Sequence, residues 1–269
     1  MSFKDWVKSF VKKTTGYHIL NLGYDRILLT KKLPDYFSTN KEVNEYLHFL
    51  RVKNLISHYG INVVLDVGAN DGETGMFLRR IGYKGKIISF EPISSTFKKL
   101  SEKAQKDPVW DAYPIALGSK NEQRTIKLMD QSYLISFLDP NENFVHFFGK
   151  EDRTKEETIQ IRRLEDVLPE VITDLESARI FLKMDTQGFD LEVFAGLGQL
   201  VDKIVLLQSE ASIIPIYKNM PHISDSLSTF EAAGFTIAGI YTVNMEEATL
   251  REIESDLLFI NSKYIPERK

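Results

Sequence analysis

The chain has 269 residues, of which 43% are hydrophobic and 27% are charged, a composition that suits one globular α/β domain with additions. Its net charge of −4 gives no sign of the clustered basic face that nucleic-acid-binding proteins usually carry, so we expect no nucleic-acid partner. No cysteine is present, which excludes disulfides, thiol nucleophiles and cysteine metal sites.

Membrane insertion and secretion are not expected from the sequence. No apolar run approaches the roughly 18 residues that a membrane span needs. Lysines interrupt the N-terminal segment at the place where a signal peptide has its apolar core. We therefore expect a cytoplasmic protein.

Residues 3–13 predict a basic amphipathic helix. One face carries Phe3, Trp6, Val7, Phe10 and Val11, and the other carries four lysines. Such a helix can pack on the domain or on a second subunit of a homo-oligomer. It can also lie on the anionic inner face of a membrane as a peripheral contact.

A second helix is predicted from Asn40, a good N-cap residue, to about Tyr59, with Val43, Leu47 and Leu50 near one face. We interpret residues 1–59 as a helical N-terminal addition and residues 60–269 as the main α/β domain.

Residues 61–92 predict a strand, a glycine turn, a helix and a second strand. The first strand is a nearly continuous apolar run, and the turn Asp66–Gly72 follows it. The second strand, 86–90, ends at Glu91. This order is typical of a nucleotide-binding βαβ unit, in which an acidic residue at the second strand end binds ribose hydroxyls.

The glycine turn favours a cofactor without a pyrophosphate. Dinucleotide folds usually show G-x-G-x-x-G, and their middle glycine makes room for the pyrophosphate. Asn70 stands at that position here. S-adenosylmethionine (SAM) is therefore the favoured cofactor, and a nicotinamide dinucleotide is the alternative.

The remaining pattern predicts further alternation of strands and helices. Strands are expected at 109–117, 124–129, 158–164, 180–184, 204–207, 235–241 and 257–261, and helices at 93–106, 189–197 and 223–233. Together these elements predict an α/β fold with a seven-stranded, mostly parallel, doubly wound sheet. The last two strands would form an antiparallel hairpin at its edge.

Four motifs in this order resemble the FkbM family of SAM-dependent methyltransferases. They are DVGANDG at 66–72, FEP at 90–92, ALG at 116–118 and LKMDTQGFDLEVFAGL at 182–197, and the resemblance covers about residues 60–262. It implies a Rossmann-like class I methyltransferase fold. It also implies methyl transfer to a hydroxyl oxygen of a sugar in a glycan, lipopolysaccharide or glycolipid.

The resemblance and the strand ends together indicate a cofactor site. Glu91 would hold the ribose, and the backbone of Gly68–Gly72 would face the cofactor. Asp66 or Asn70 could face its amino group, or could simply hold the turn. Ala116 and Leu117 lie where the family contacts adenine, and Asp185 and Gln187 lie in the family motif beside the cofactor.

A sugar hydroxyl needs a base as the new bond forms. Asp185 is the first candidate, at a strand end beside the methyl group, although it could instead cap helix 189–197. Glu210 is the second. His222 is the third, although it follows a proline in a loop and could be a surface residue.

Two further classes of function stay open, together with a metal. Asp185 and Glu210 could hold one Mg²⁺, but no third ligand is evident, so we do not commit to a metal. The alternatives to methyl transfer are an NAD(P)-dependent oxidoreductase and a non-catalytic binding protein with the same fold.

Residues 130–157 are difficult to interpret because their periodicity is weak. A long segment of this kind is often a lid over a functional site. Its aromatic residues, Tyr133, Phe137, Phe144, Phe147 and Phe148, could fill the core or stack on an acceptor sugar.

Overall fold

In the computed structural model of the chain, the described residues are 3–15, 17–23, 26–30, 36–150 and 155–266. They divide into two compact units, Met1–Leu47 and His48–Lys269, and the division falls inside a helix. It lies earlier in the chain than the boundary after residue 59 that the sequence predicts.

The first unit contains a helix, a hairpin and the start of a second helix. Its elements are α1 (Phe3–Thr15), β1 (His18–Gly23), β2 (Arg26–Thr30) and the first part of α2 (Tyr36–His58). The strands are antiparallel. The helix predicted at 3–13 is therefore confirmed. The predicted start of the second helix at Asn40 is wrong, because α2 begins one turn earlier, and Leu47 is 46% exposed.

The second unit consists of strands and helices in alternation. Its strands are β3 (Val63–Val67), β4 (Lys86–Phe90), β5 (Trp110–Tyr113), β6 (Ala116–Leu117), β7 (Glu122–Lys127), β8 (Glu156–Arg162), β9 (Ile180–Met184), β10 (Ile204–Ser212), β11 (Phe235–Glu246) and β12 (Arg251–Asn261). Its helices are α3 (Glu73–Arg80), α4 (Ser94–Ala104), α5 (Glu142–Phe148), α6 (Leu164–Val171), α7 (Asp190–Ala195) and α8 (Ile223–Ala232).

Seven of these strands form the main sheet, in the order β11-β12-β10-β9-β3-β4-β5. β12 pairs antiparallel with both of its neighbours, and the other pairs are parallel. The predicted seven-stranded Rossmann-like class I methyltransferase sheet is confirmed, including its edge hairpin. From β3 the chain adds β4 and β5 on one side, and it later adds β9 and β10 on the other side. A ligand site is expected at the point between β3 and β9 where this strand order reverses.

The sheet is buried on both faces. Val64 packs in a cluster with Val52 of α2, Leu78 of α3 and Leu100 of α4. Leu65, which points to the opposite face, packs with residues of α6, α7 and α8.

No helix among the described residues is long and apolar enough to cross a membrane.

One predicted strand, 109–117, is wrong. β5 ends at Tyr113, and Pro114 follows it. A proline has no N–H to donate to the ladder, so the main-sheet pairing stops there. Ala116 and Leu117 then pair with β8 in a separate sheet of β6, β8 and β7.

β10 extends beyond its predicted end, which corrects the placement of Glu210. We expected a strand over 204–207 that ended near residue 210. The strand instead runs to Ser212, because β12 pairs with it from Leu206 to Ser212. Glu210 therefore lies inside a strand, opposite Asp256. The hairpin strands are also longer than predicted, and α6 was not predicted.

Aromatic residues of the segment at 130–150 pack against aromatic residues elsewhere in the second unit. Phe144 of α5 is 1% exposed and contacts Tyr217, and Phe137 contacts Phe189. The core-filling alternative is confirmed for Phe144. Tyr133 is 57% exposed. Residues 151–154 of the predicted segment lie outside the described residues.

Candidate active site

The glycine turn after β3 packs directly against the backbone after β9. Gly68 has a φ of +75°, and a Cβ atom there would lie 1.9 Å from the carbonyl oxygen of Asp185. The N–H of Asp185 donates to the carbonyl oxygen of Val67 at 3.0 Å. A side chain at position 68 would therefore push the two loops apart.

Glu91 stands over this turn, immediately after β4, and is 6% exposed. One of its carboxylate oxygens accepts the N–H of Asn70 at 3.0 Å, and the other accepts the N–H of Ile93 at 2.8 Å. Burial raises the pKa of Glu91 to about 7, although these two N–H groups lower it. Each oxygen can accept a further hydrogen bond, as a ribose diol requires.

Asp66 is fully buried and has a partner that the sequence did not predict. Its Oδ2 accepts a hydrogen bond from Ser89 at 3.3 Å, and its Oδ1 lies 3.5 Å from Nζ of Lys183. Burial raises the pKa of Asp66, and the charge of Lys183 opposes that effect. Asn70 accepts a hydrogen bond from Ser132 at 3.2 Å. Asp66 is therefore held by Ser89 and Lys183.

Lys183 connects the two strand ends. Its Nζ lies 3.1 Å from Oδ2 of Asp185 as well as close to Asp66. Burial lowers the pKa of Lys183, but Asp185 and Asp66 together raise it above its ordinary value. Lys183 was not among the site residues predicted from the sequence. The available signal was a single lysine inside the apolar strand IFLKM.

Asp185 follows the last residue of β9 and keeps 39% of its side chain exposed. It does not cap α7, whose N-cap is Phe189 without a side-chain hydrogen bond, so that alternative is wrong. Asp190 holds the turn instead, because its carboxylate accepts the N–H of Thr186 at 2.9 Å and the hydroxyl of Ser209 at 2.7 Å. Asp185 is thereby left accessible.

Glu210 and Asp185 share Gln187, which has a φ of +53°. Nε2 of Gln187 lies 2.7 Å from Oε2 of Glu210 and 3.5 Å from Oδ1 of Asp185. Burial, and then the charges of Glu254 and Asp185, raise the pKa of Glu210 well above its ordinary value. The structure therefore brings the first two predicted base candidates together.

His222 lies at the N-terminus of α8, where it is exposed. Its ring nitrogen Nδ1 accepts the backbone N–H of Ser224 at 3.2 Å, and the backbone N–H of His222 donates to the carboxylate of Asp225 at 2.9 Å. These two bonds form a capping box, which gives the residue a structural role. Its role as a base stays a prediction.

Ala116 and Leu117 are buried in β6, 5% and 2% exposed. Their placement at the end of a main-sheet strand is wrong, as described above. The adenine contact inferred for them stays a prediction.

The described residues fit SAM better than they fit a metal. Glu91 presents a buried carboxylate beside the glycine turn, whose backbone leads into the N-terminus of α3. These groups would hold the cofactor's ribose and its amino acid portion. By contrast, no group of three or more His, Asp or Glu side chains among the described residues could hold a metal ion, so we assign no residue to Mg²⁺.

Several solved structures are similar to the chain. Magnesium protoporphyrin IX methyltransferase from Synechocystis, with bound SAM, is 11% identical, with 97% of this chain and 98% of that chain covered and a TM-score of 0.44. An rRNA methylase from Streptococcus thermophilus is 11% identical, with coverage of 78% and 93% and a TM-score of 0.42. Fibrillarin from Aeropyrum pernix, also with bound SAM, is 8% identical, with coverage of 74% and 66% and a TM-score of 0.43. At this level of identity the similarity says nothing about the acceptor.

No curated protein sequence was found to match the chain. A family model does match: that of the methyltransferase FkbM domain, over residues 66–237. This range includes the glycine turn, Glu91, Asp185 and Glu210, whose geometry is described above. The chain therefore belongs to the FkbM methyltransferase family.

Proposed function

We propose that the protein is a SAM-dependent O-methyltransferase that acts on a sugar hydroxyl of a glycan, lipopolysaccharide or glycolipid. One observation carries this proposal. Asp185, an accessible carboxylate, lies against the glycine turn of the cofactor site and is anchored by the buried Lys183. When bound, SAM supplies a methyl group that its sulfonium already activates.

The protein's own part is to align the hydroxyl and to accept its proton. Lys183 holds Oδ2 of Asp185, so Oδ1 faces the amide of Gln187 at 3.5 Å and remains able to accept a proton. Alignment and proton acceptance are the two contributions that such a transfer needs from a protein.

The oxidoreductase alternative finds less support. Asn70 occupies the position of the middle glycine, and its side chain is bonded to Ser132. A pyrophosphate normally needs a glycine at that position. The non-catalytic alternative is also less favoured, because a buried ion pair that holds an accessible carboxylate has no evident use in a passive binding protein.

A methyl-transfer assay tests the proposed function. Purified protein with isotope-labelled SAM is expected to label a saccharide-containing acceptor among lipopolysaccharide, glycolipid and free glycan preparations. Mass spectrometry of the product should place the methyl group on a hydroxyl oxygen. Methyl groups found only on nitrogen or carbon would contradict the proposal, as would calorimetry that detects binding of NAD but not of S-adenosylhomocysteine.

We also propose that α1 lies on an anionic membrane surface. Trp6 and Phe10 stack with ring centroids 5.5 Å apart and are 52% and 53% exposed. Lys8, Lys12 and Lys13 are on the same short helix. An amphipathic helix with large apolar groups and lysines is suited to the lipid headgroup region.

The double variant Trp6→Ala/Phe10→Ala is expected to lose most of its binding to vesicles that contain phosphatidylglycerol, as measured by co-sedimentation. Wild-type binding should weaken as salt is added, because salt screens the attraction of the lysines. Affinity for S-adenosylhomocysteine should not change. A variant that keeps its vesicle binding, or that changes oligomeric mass instead, would favour packing against protein.

A further inference from the structure

Four carboxylates lie together beyond the cofactor turn, and we call them the carboxylate cluster: Asp185, Glu210, Glu254 and Asp256. Met184 is the register partner of Ser209, so Asp185 stands beside Glu210. Glu210 in turn pairs with Asp256 across β10 and β12. Glu254 is two residues from Asp256 and so lies on the same face of the sheet.

The charges of this cluster are poorly balanced. Lys183 is the cation that lies at ion-pair distance from Asp185 among the described residues, and it is shared with Asp66. His48 approaches Asp256 at 3.7 Å, but burial lowers its pKa and so favours the neutral ring. Burial, and then the charge of Asp185, raise the pKa of Asp256 to about 7. A further positive charge would stabilise the ionised carboxylates.

Two buried polar atoms at the cluster have no hydrogen-bond partner among the described residues. Glu254 is 2% exposed; its Oε2 accepts from Asn244 at 2.8 Å, whereas its Oε1 has no partner. Ser212 is 1% exposed, and its Oγ also has no partner. The two residues are register partners on adjacent strands. Buried polar atoms are nearly always paired, so Oε1 of Glu254 lacks a donor, and the hydroxyl of Ser212, which can donate or accept, lacks a partner.

The carboxylate cluster leads from the buried pair of β10 and β12 to Asp185, the proposed base. The charge of Glu254 is the largest charge effect on Glu210, and the charge of Asp185 in turn acts on Glu254. Asp185 is the accessible end, at 39% exposure, and Glu254 is the closed end. The cluster therefore extends from Asp185, at the accessible end, through Glu210 on β10 to Asp256 and Glu254 on β12.

We propose that the carboxylate cluster is an acceptor subsite for an ammonium group, so that the sugar methylated by this protein carries a free amine. This inference rests on the proposed function and specifies its substrate class. An ammonium group has three N–H donors and a positive charge; the cluster offers the unpaired Oε1 of Glu254 and carboxyl groups whose ionised forms a positive charge would stabilise. A neutral hydroxyl or an N-acetyl group supplies donors without the charge.

Binding of three matched sugars tests the inference. Glucosamine, N-acetylglucosamine and glucose are titrated into protein saturated with S-adenosylhomocysteine. Glucosamine is expected to bind at least about tenfold more tightly than the other two, the size of one charge-assisted hydrogen bond. The variant Glu254→Gln should remove most of this preference and leave the affinity for S-adenosylhomocysteine unchanged.

Glu252→Gln is the matched control, on the same strand and two residues away. Both of its oxygens already accept hydrogen bonds, from Thr242 and Ser255 at 2.7 Å each, so its replacement should leave the preference intact. If Glu254→Gln does not fold, Ser212→Ala serves as the second variant, and the preference should fall several-fold.

Three outcomes would overturn the inference: equal affinity for the three sugars, no binding of glucosamine, or a preference that survives loss of the Glu254 carboxylate. In each of these cases the proposed function stands if S-adenosylhomocysteine binds and a neutral sugar is methylated. Failure of S-adenosylhomocysteine to bind would instead contradict the proposed function itself.

Discussion

Replacement of Glu91 by alanine is expected to weaken binding of SAM and S-adenosylhomocysteine at least about tenfold. Hydrogen bonds to a charged group contribute about 1.5–3 kcal/mol each, and a ribose diol makes up to two of them with one carboxylate. The two N–H groups of Asn70 and Ile93 that Glu91 now accepts would also lose their partner. Calorimetry with S-adenosylhomocysteine measures the effect directly.

The same carboxylate predicts a pH dependence of cofactor affinity. The pKa of Glu91 is about 7 because of its burial. Ribose hydroxyls donate to the ionised form, so bound cofactor should lower that pKa. Affinity should therefore be highest above pH 7 and should decline as the pH falls through about 7. At the lower pH the carboxyl group of Glu91 must first lose its proton before it can accept both ribose hydroxyls.

Glu73→Ala is the control for Glu91→Ala. Glu73 lies in the first turn of α3, close to the same site, but its side chain is 71% exposed and paired with Lys103. It should bind S-adenosylhomocysteine as the wild type does, with the same pH profile. A folded Glu91→Ala protein with unchanged affinity, or with the wild-type decline below pH 7, would show that Glu91 does not bind the ribose.

Asp185→Asn is expected to lower turnover roughly 100-fold or more, the usual size of a lost acid–base contribution. The amide keeps the shape of the side chain but cannot take the hydroxyl proton. S-adenosylhomocysteine should still bind within a few-fold of wild type, because the proposed ribose contacts lie at Glu91, after β4, and β3 separates β4 from β9. KM for the acceptor should change less than kcat, since the lost interaction matters mainly in the transition state.

Asp174→Asn is the matched control for this variant. Asp174 lies before the start of β9, at the opposite end of the strand that leads to Asp185, and it is exposed. Its replacement should leave turnover unchanged. Thermal unfolding of Asp185→Asn should be recorded as well, because Lys183 loses one of its two carboxylate partners. Near-normal turnover in a folded Asp185→Asn protein would move the base to Glu210 or His222.

The unit of β3, glycine turn, α3 and β4, which carries the proposed cofactor site, could be predicted from the sequence because its parts are local. The strand, glycine turn, helix and following strand are consecutive, and Glu91 lies at a fixed distance along the chain from Gly72. Short-range patterns of hydrophobicity and turn residues therefore located it. The seven-stranded sheet followed from the same alternation.

The carboxylate cluster could not be predicted in the same way, because it depends on register between distant strands. Glu210 faces Asp256 only because β12 inserts antiparallel beside β10. His48 reaches Gln208 at 3.1 Å from a helix 160 positions earlier. Glu254 and Asp256 alternate with apolar or small residues in β12, a pattern that places both carboxylates on one face of the strand. The pattern does not show which residues of other strands lie beside them.

The failed strand at 109–117 has a comparable cause. Its apolar pattern continues through residue 117, but Pro114 ends the pairing, and the small sheet with β8 offers Ala116 and Leu117 a different partner. The competing partner lies more than forty residues later in the chain, so hydrophobic periodicity alone could not reveal it.

Gly68 packs against the carbonyl group of Asp185, and this contact fixes the spacing between the glycine turn and the loop after β9. Only a bare α-carbon separates the turn proposed to receive the cofactor from the loop that carries Asp185, and a hydrogen bond from the N–H of Asp185 to the carbonyl oxygen of Val67 joins them. The loops must therefore move as one body. Substitutions on β10 and β12 can then reshape the proposed acceptor subsite, while the spacing between the glycine turn and Asp185 stays unchanged.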